Sequence, residues 1–340
     1  MKLSIIIPVY NVEKHIVNCL ESVLNQDISK SEYEIIVIND GSTDNSYTLA
    51  QKYADRYKNI ILLSQKNRGI SVTRNNGLKI AKGKYVYFID SDDSIAPNVL
   101  KSIIHNLETH NLEILSFNLL KINGLSDIEN LEKGNIQPEL SKVTDGITYL
   151  AQRGFNASVC WFFIKRSFLN DLKIKFVEGR MLEDILFNAI IFTKAKKIAH
   201  LPLNVYYYLI HQESIMRNTS AKHYKKLIND YEFVLIELNL IINNLHYDDQ
   251  NIKSKCIKGM KNLQGVFLNF LFIRIMRSNS SIKYINGVIQ RLKSVDLYPI
   301  RPFSKSIKNK MMLVVINNKI LFYPLIMIYR LLSKRKMKKE

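Results

Sequence analysis

Cysteine is scarce. Cys19, Cys160 and Cys256 are odd in number, widely spaced and in no paired motif, which argues against a disulfide framework or a thiolate zinc site and for a reducing compartment, by default the cytoplasm. Phosphate-cradling loops are also missing. No G-x-G-x-x-G follows the first strand-like segment and no G-x-x-x-x-G-K-[ST] occurs, so dinucleotide redox chemistry and P-loop hydrolysis lose their expected cradles. No apolar run reaches the roughly 20 residues of a spanning helix. The stretch from Leu3 to Tyr10 is broken by Pro8 and too short for a secretory signal. Acidic residues are the other deficit: 30 against 49 Lys and Arg, a net charge of +19. That excess favours anionic partners, which are nucleic acid, an acidic membrane surface or phosphorylated substrates. Length and apolar content are ample, with 340 residues and 47% hydrophobic, enough for a real core in one large domain or two ordinary ones.

The most informative stretch runs from Lys84 to Asp93. Tyr85 to Ile89 is β-branched and aromatic without polar alternation, the pattern of a strand buried on both faces of a parallel sheet. It ends in Asp90, Asp92 and Asp93, and the carboxyl ends of strands are where ligands bind in open α/β sheets. Like charges this close call for a compensating cation. Mg²⁺ or Mn²⁺ held by one or two carboxylates plus phosphate oxygens would serve. A solvated acidic turn ahead of a helix near Pro97 is the plainer alternative.

The pattern before this strand repeats. Ser4 to Tyr10 reads as a buried strand, followed by a helix over Glu13 to Asn25; Glu34 to Asp40 is a second strand, turning through Gly41 into a helix capped by Thr43 or Asp44. Asn59 to Ser64 is a third, and its helix covers Val72 to Ala81. This alternation predicts a parallel, doubly wound α/β sheet. Three strand ends then converge on one crevice: Tyr10 and Asn11, Asn39 and Asp40, Asp90 and Asp92. Asp40 suits a nucleoside-binding carboxylate or a helix cap. Gly69 allows positive φ, and Arg74 can reach a phosphate or a strand-end acid.

After Pro97, Leu112 to Leu120 reads as a strand, Gly124 to Glu139 as a surface excursion, Asp145 to Arg153 as a helix and Val159 to Ile164 as a strand. Trp161 fits core packing or a place beside a sugar. Glu183 and Asp184 open an apolar helical face, where acids also complement the helix dipole. Ile198 to Ile210 is strand-like and runs towards His211 and Arg217. Helical spacing then covers Tyr224 to Asn244, Ile252 to Met276 and Ile282 to Leu292. Met311 to Ile316 and Ile320 to Tyr329 are apolar runs followed by a basic flank. They read as helices lying in an anionic membrane interface, or as core helices with a basic tail.

Five segments occur in order: Ile5 to Asn11 (IIIPVYN), Val37 to Asp44 (VINDGSTD), Asn67 to Gly69, Arg74 with Asn75, and Phe88 to Asp93 (FIDSDD). Together they resemble the family 2 glycosyltransferases of GT-A fold, strongly over residues 1–100 and more weakly to 217. The resemblance implies a Rossmann-like, mostly parallel sheet with flanking helices, forming a catalytic domain over 1–217 (1–100 the nucleotide-binding half, 101–217 the acceptor-side half). Beyond 217 the spacing and composition alone divide the chain into a helical region over 218–310 and an amphipathic, basic tail over 311–340.

Its implied activity is inverting transfer from a nucleotide-sugar, commonly a UDP-sugar, to a hydroxyl of a saccharide or polyprenyl-diphosphate-linked acceptor in surface-polysaccharide synthesis. Carried over by position, Pro8, Tyr10, Asn11, Asp40, Asn67, Gly69, Arg74 and Asp90 would bind the donor. Asp92, with Asp90 and His211, would hold Mn²⁺ or Mg²⁺. Asp184 would be the general base, with Glu183 in reserve because adjacent helical residues point about 100° apart. The cysteine usage places the protein in the cytoplasm, the apolar and basic tail puts it at the inner face of the membrane, and the strand-end acids speak against nucleic acid as its partner. The rivals are a nucleotidyltransferase acting on a sugar phosphate, which expects a glycine-rich basic loop after the first strand, and a non-catalytic basic protein on membrane or nucleic acid, which leaves the strand-end acids unexplained.

Overall fold

The computed structural model describes residues 1–124, 127, 139–210, 221–303 and 306–336, with backbone alone at 221, 222 and 333–336. Two compact units divide the chain: Met1–Tyr149 with Ala157–Gln212, and Leu150–Asn156 with Glu213–Glu340.

The first unit is built on one eight-stranded sheet. Its strands are β1 (Leu3–Val9), β2 (Tyr33–Asn39), β3 (Ile60–Ser64), β4 (Tyr85–Phe88), β5 (Ser94–Ile95), β6 (Ile114–Ile122), β7 (Phe162–Lys165) and β8 (Ile198–Leu209), in the spatial order β3-β2-β1-β4-β7-β6-β8-β5. The half from β3 to β4 is parallel. β7 runs antiparallel to both β4 and β6, β8 is parallel to β6, and β5 is antiparallel to β8. The expected parallel sheet therefore holds for four of the seven pairings, and β5 was not foreseen, because a two-residue strand leaves no periodicity to read.

Every residue of β1 and β2 is buried, because helices cover both faces. The helices of this unit are α1 (Ile16–Leu24), α2 (Ser46–Arg56), α3 (Ile70–Ile80), α4 (Leu100–Thr109), α6 (Arg166–Leu172) and α7 (Glu183–Lys194), and α5 (Gly146–Arg153) is shared between the two units. Pro8 is tolerated in a central strand because β4 pairs with β1 only as far as Ile6, so its missing N–H removes no rung there. The early parting of β4 from β1 also opens the sheet at its carboxyl end. Val159 to Trp161 is apolar yet forms a buried turn ahead of β7, since burial alone does not distinguish a strand from a covered loop. Trp161 is core, its ring stacked on Phe192 with centroids 5.2 Å apart. Most of the expected excursion from Gly124 lies outside the described residues.

The second unit is helical. It contains α8 (Ala221–Asn243), α9 (Gln250–Arg277), α10 (Ile282–Ser294), α11 (Ile307–Asn317) and α12 (Lys319–Lys336).

Close approach of α3 to β1 depends on Gly77. A Cβ there would lie 2.5 Å from Ile6 Cγ2 and 3.2 Å from Ile6 Cγ1 and Cδ1, and Ile6 is packed on all sides. Gly77→Ala is expected to cost about 1–3 kcal/mol in urea unfolding through overpacking. An unchanged midpoint would show that α3 does not need this seat.

Candidate active site

Three loops at the carboxyl end of the parallel strands are laced together by side chains. Asn11, held at φ 51°, accepts from the Thr43 N–H at 2.8 Å, and its own N–H donates to Ser42 Oγ at 3.1 Å. Glu13 accepts from the backbone and side chain of Asn45. Asn11 thus braces the second loop against the first, while Tyr10 beside it is 43% exposed with its ring at the rim.

Asp40 is buried. Its carboxylate accepts from Gln65 Nε2, Arg68 N and Gly69 N, all at 2.8 Å. It therefore caps the approach to α3 and not the helix that follows it in sequence, whose first N–H is taken by Asp44. Gly69 is the N-cap of α3 at φ 87°, a conformation that side chains resist. Asn67, next to it, is exposed. Gln65 completes the brace, donating also to Thr73 Oγ1 and accepting from Asn76 Nδ2 at 2.6 Å.

At the centre lies Arg74, 1% exposed. Its Nη2 donates to Asp90 Oδ1 at 2.9 Å; its Nη1 donates to Glu183 Oε1 at 2.8 Å and to Asp184 Oδ1 at 2.5 Å. Of the two partners open to it in sequence, a phosphate or a strand-end acid, Arg74 meets the acid through Asp90. Glu183 and Asp184 both reach Arg74. Both stand in the first turn of α7, and the extra methylene of Glu183 lets the two carboxylates meet on one guanidinium nitrogen. The residue before them, Leu182, sits at φ 65°, a left-handed conformation that costs a bulky side chain roughly 1–2 kcal/mol.

Burial works against the charge of Arg74, but Asp184, Asp90 and Glu183 more than offset it and raise its pKa. Burial pushes the Asp184 carboxyl well up; Arg74 pulls it back, and Glu183 and Asp90 add to the rise.

Asp93 behaves differently from its neighbours. It turns inward, accepting from Tyr206 Oη at 2.5 Å and Leu209 N at 2.8 Å, and so ties the acidic turn to β8. Burial, then Asp92 and Asp90, push it up to about 8. Asp90 keeps 35% of its side chain exposed, and Asp92 is half-buried beside it. His211, expected as a further ligand, lies outside the described residues.

Sequence reasoning missed a staple that carries the acid-bearing segment. Asn75 donates from Nδ2 to the Phe176 carbonyl at 3.0 Å and accepts the Phe176 N–H at 2.9 Å. The Phe176 ring stacks on Phe187 at 4.1 Å, meets Phe88 edge-on at 5.3 Å and lies 5.4 Å from the Arg74 guanidinium carbon. One side chain thus joins α3, β4 and α7. The Arg74–Asn75 pair was visible in sequence, but nothing pointed to its partner 101 positions away.

Three carboxylates, Asp90, Glu183 and Asp184, meet one guanidinium, and Asp92 and Asp93 follow Asp90 in the chain. Among the described residues no three Asp, Glu, His or Cys side chains form a cage for a metal. An all-oxygen donor set with excess negative charge, Asp90 and Asp92 reachable from outside, fits a hard divalent cation that takes its remaining ligands from a bound anion and water.

Removing Arg74 tests the charge balance. In Arg74→Met the pKa of Asp184 rises further above its unfolded value, so stability is kept at acid pH and lost as pH climbs through the folded pKa. We expect a deficit of about 3–5 kcal/mol in urea unfolding at pH 8, clearly smaller at pH 5. A deficit independent of pH would contradict this balance.

The model for Glycosyl transferase family 2 matches residues 4–172. Among curated proteins, the poly(ribitol-phosphate) beta-glucosyltransferase of Bacillus spizizenii is 31% identical over 277 residues, covering 76% of this chain. The match takes in 42% of that enzyme, so the chain spans less than half of its relative's length. Among solved structures, Staphylococcus aureus TarS 1-349 in complex with UDP superposes with a TM-score of 0.63 at 22% identity, covering 100% of this chain and 92% of the other. The mannosyltransferase PcManGT from Pyrobaculum calidifontis, in complex with GDP-Man and Mn²⁺, gives 0.56 at 15% identity, covering 93% and 86%. Fold and motifs agree with the family match, and the chain belongs to glycosyl transferase family 2.

Proposed function

We propose that this chain is an inverting glycosyltransferase that moves a sugar from a UDP-sugar to a hydroxyl of a saccharide or polyprenyl-diphosphate-linked acceptor in bacterial surface-polysaccharide synthesis. It would work in the cytoplasm at the inner face of the membrane. The observation that carries the reading is the convergence of Asp90, Glu183 and Asp184 on buried Arg74 at the open end of the sheet. Such a cluster offers both things inversion needs: a base, and an anionic mouth that accepts a diphosphate only together with a cation.

Tyr10 and Pro8 would line the base of the nucleotide, on the loop that Asn11 braces. Asp40 would act beside them, ordering Asn67 to Gly69 around the donor. Asp92, with Asp90, would hold Mn²⁺ or Mg²⁺, whose chemistry there is to neutralise the charge of the diphosphate. Asp184 would accept the proton of the acceptor hydroxyl as its oxygen bonds to the anomeric carbon. The bond to the diphosphate oxygen breaks on the opposite face, and its electron pair leaves with UDP. Arg74 draws the pKa of the Asp184 carboxyl down against burial, while burial raises its affinity for the proton.

Asp184→Asn is expected to bind donor near normally while transfer falls by about 10²-fold or more, read as sugar incorporation at saturating donor. Asp92→Ala is expected to weaken cation-dependent donor binding itself. Full transfer by Asp184→Asn, with loss in Glu183→Gln, would move the base to Glu183; full transfer by both would sink the reading.

A further inference from the structure

The proposed chemistry leaves one surface unexplained. Of the 21 large hydrophobic side chains exposed among the described residues, 11 fall between Ile307 and Leu332, far more than a soluble surface ordinarily gathers in one place. They are not on a loose tail. Leu313 and Ile316 of α11 and Phe322 and Ile326 of α12 are buried, with Phe322 meeting Phe272 at 5.5 Å. Asn317 pairs both ends of its amide with the Ile300 backbone at 2.8 and 2.9 Å. Tyr298 Oη donates to the Ile316 carbonyl at 3.0 Å, and Asn318 Oδ1 accepts the Ile320 N–H to start α12. The 101° bend between the helices is therefore fixed by hydrogen bonds on either side of it.

The sequence left two readings of this segment, packed helices or membrane contact, and the structure gives each helix a face for both. Opposite the buried side chains, Ile307, Met311 and Val314 form an i, i+4, i+7 stripe on α11. On α12, Ile320 is 82% and Leu331 65% exposed, with Leu325 and Ile328 between them. Among the described residues no single helix is long and apolar enough to cross a membrane, and at 1.5 Å per residue α11 reaches only about 16 Å.

Charge selects the occupant. Residues 297–340 hold eleven Lys and Arg and one acid, Glu340, so ten of the nineteen net positive charges lie in this part of the chain. A second copy of so basic a segment would be repelled, and nucleic acid has no use for the apolar stripe. Anionic lipid satisfies both features at once.

We propose that α11 and α12 form a preset bent wedge that lies side-on in one leaflet of an anionic bilayer, with Leu325, Ile328 and their neighbours among the acyl chains and Lys308, Lys310 and Lys319 among the headgroups. This goes beyond the transferase reading and is independent of it, since the test reads binding and not turnover.

The test is co-sedimentation of the full chain with vesicles of equal parts phosphatidylglycerol and phosphatidylcholine, against phosphatidylcholine alone. Binding to the anionic vesicles is expected, with Lys308→Gln and Lys310→Gln each lowering it about fivefold. Leu325→Glu with Ile328→Glu, both at exposed positions, should abolish it while leaving the unfolding midpoint unchanged. A fluorophore on Ile328→Cys, where the native cysteines are buried, should be quenched by brominated acyl chains. The proposal fails if the double glutamate variant binds like the parent, if the parent ignores anionic vesicles, or if light scattering shows a dimer that the same variant dissociates.

Discussion

A single buried guanidinium holds the candidate site together. Arg74 joins the end of β4, through Asp90, to the start of α7, through Glu183 and Asp184. Without it, carboxylates from two remote parts of the sequence would be driven apart by their own charge in a medium that screens poorly. Its position is in turn prescribed by its neighbours on α3. Gly77 lets the helix settle on Ile6, Gly69 starts it in a conformation most residues avoid, and Asn75 clamps the Phe176 backbone beneath it. The site is therefore a property of how α3 is seated, and only secondarily of the acids themselves.

The acids divide by environment. Asp93 faces inward and carries structure, anchoring β8 at the cost of a raised pKa. Asp90 shares its carboxylate between Arg74 and the open side, and Asp92 stands beside it. Asp184 sits between, partly covered and held by Arg74. One guanidinium cannot balance so many carboxylates. The residual negative charge is what makes a cation and an anionic ligand mutually dependent guests here.

Much of this was legible in the sequence, for local reasons. β1, β2 and β4 announce themselves as unbroken apolar runs because helices cover both faces, and acids ending such a run have nowhere to go but the mouth of the sheet. The antiparallel half was illegible because β7 pairs with β4 across some 78 positions, a choice that no local pattern encodes. Phe176 and Gln65, and the clamping role of Asn75, escaped for the same reason: an amide or an aromatic ring becomes a positioning group only when its distant partner is known. Asn11 and Asp40 were named as site residues, and their hydrogen bonds to neighbouring loops could not be read from the sequence. The C-terminal runs were read as apolar and basic. What the sequence could not show is that each helix buries one face and displays the other.

The most direct test of the account is the thermal unfolding of the full chain with UDP, Mn²⁺, both together, or neither. If the carboxylate cluster needs a cation before it admits a diphosphate, UDP alone should change little, and UDP with Mn²⁺ should stabilise by about 2.7 kcal/mol at a hundredfold excess over its dissociation constant. Equal stabilisation by UDP without any divalent cation would contradict the charge argument on which the site rests.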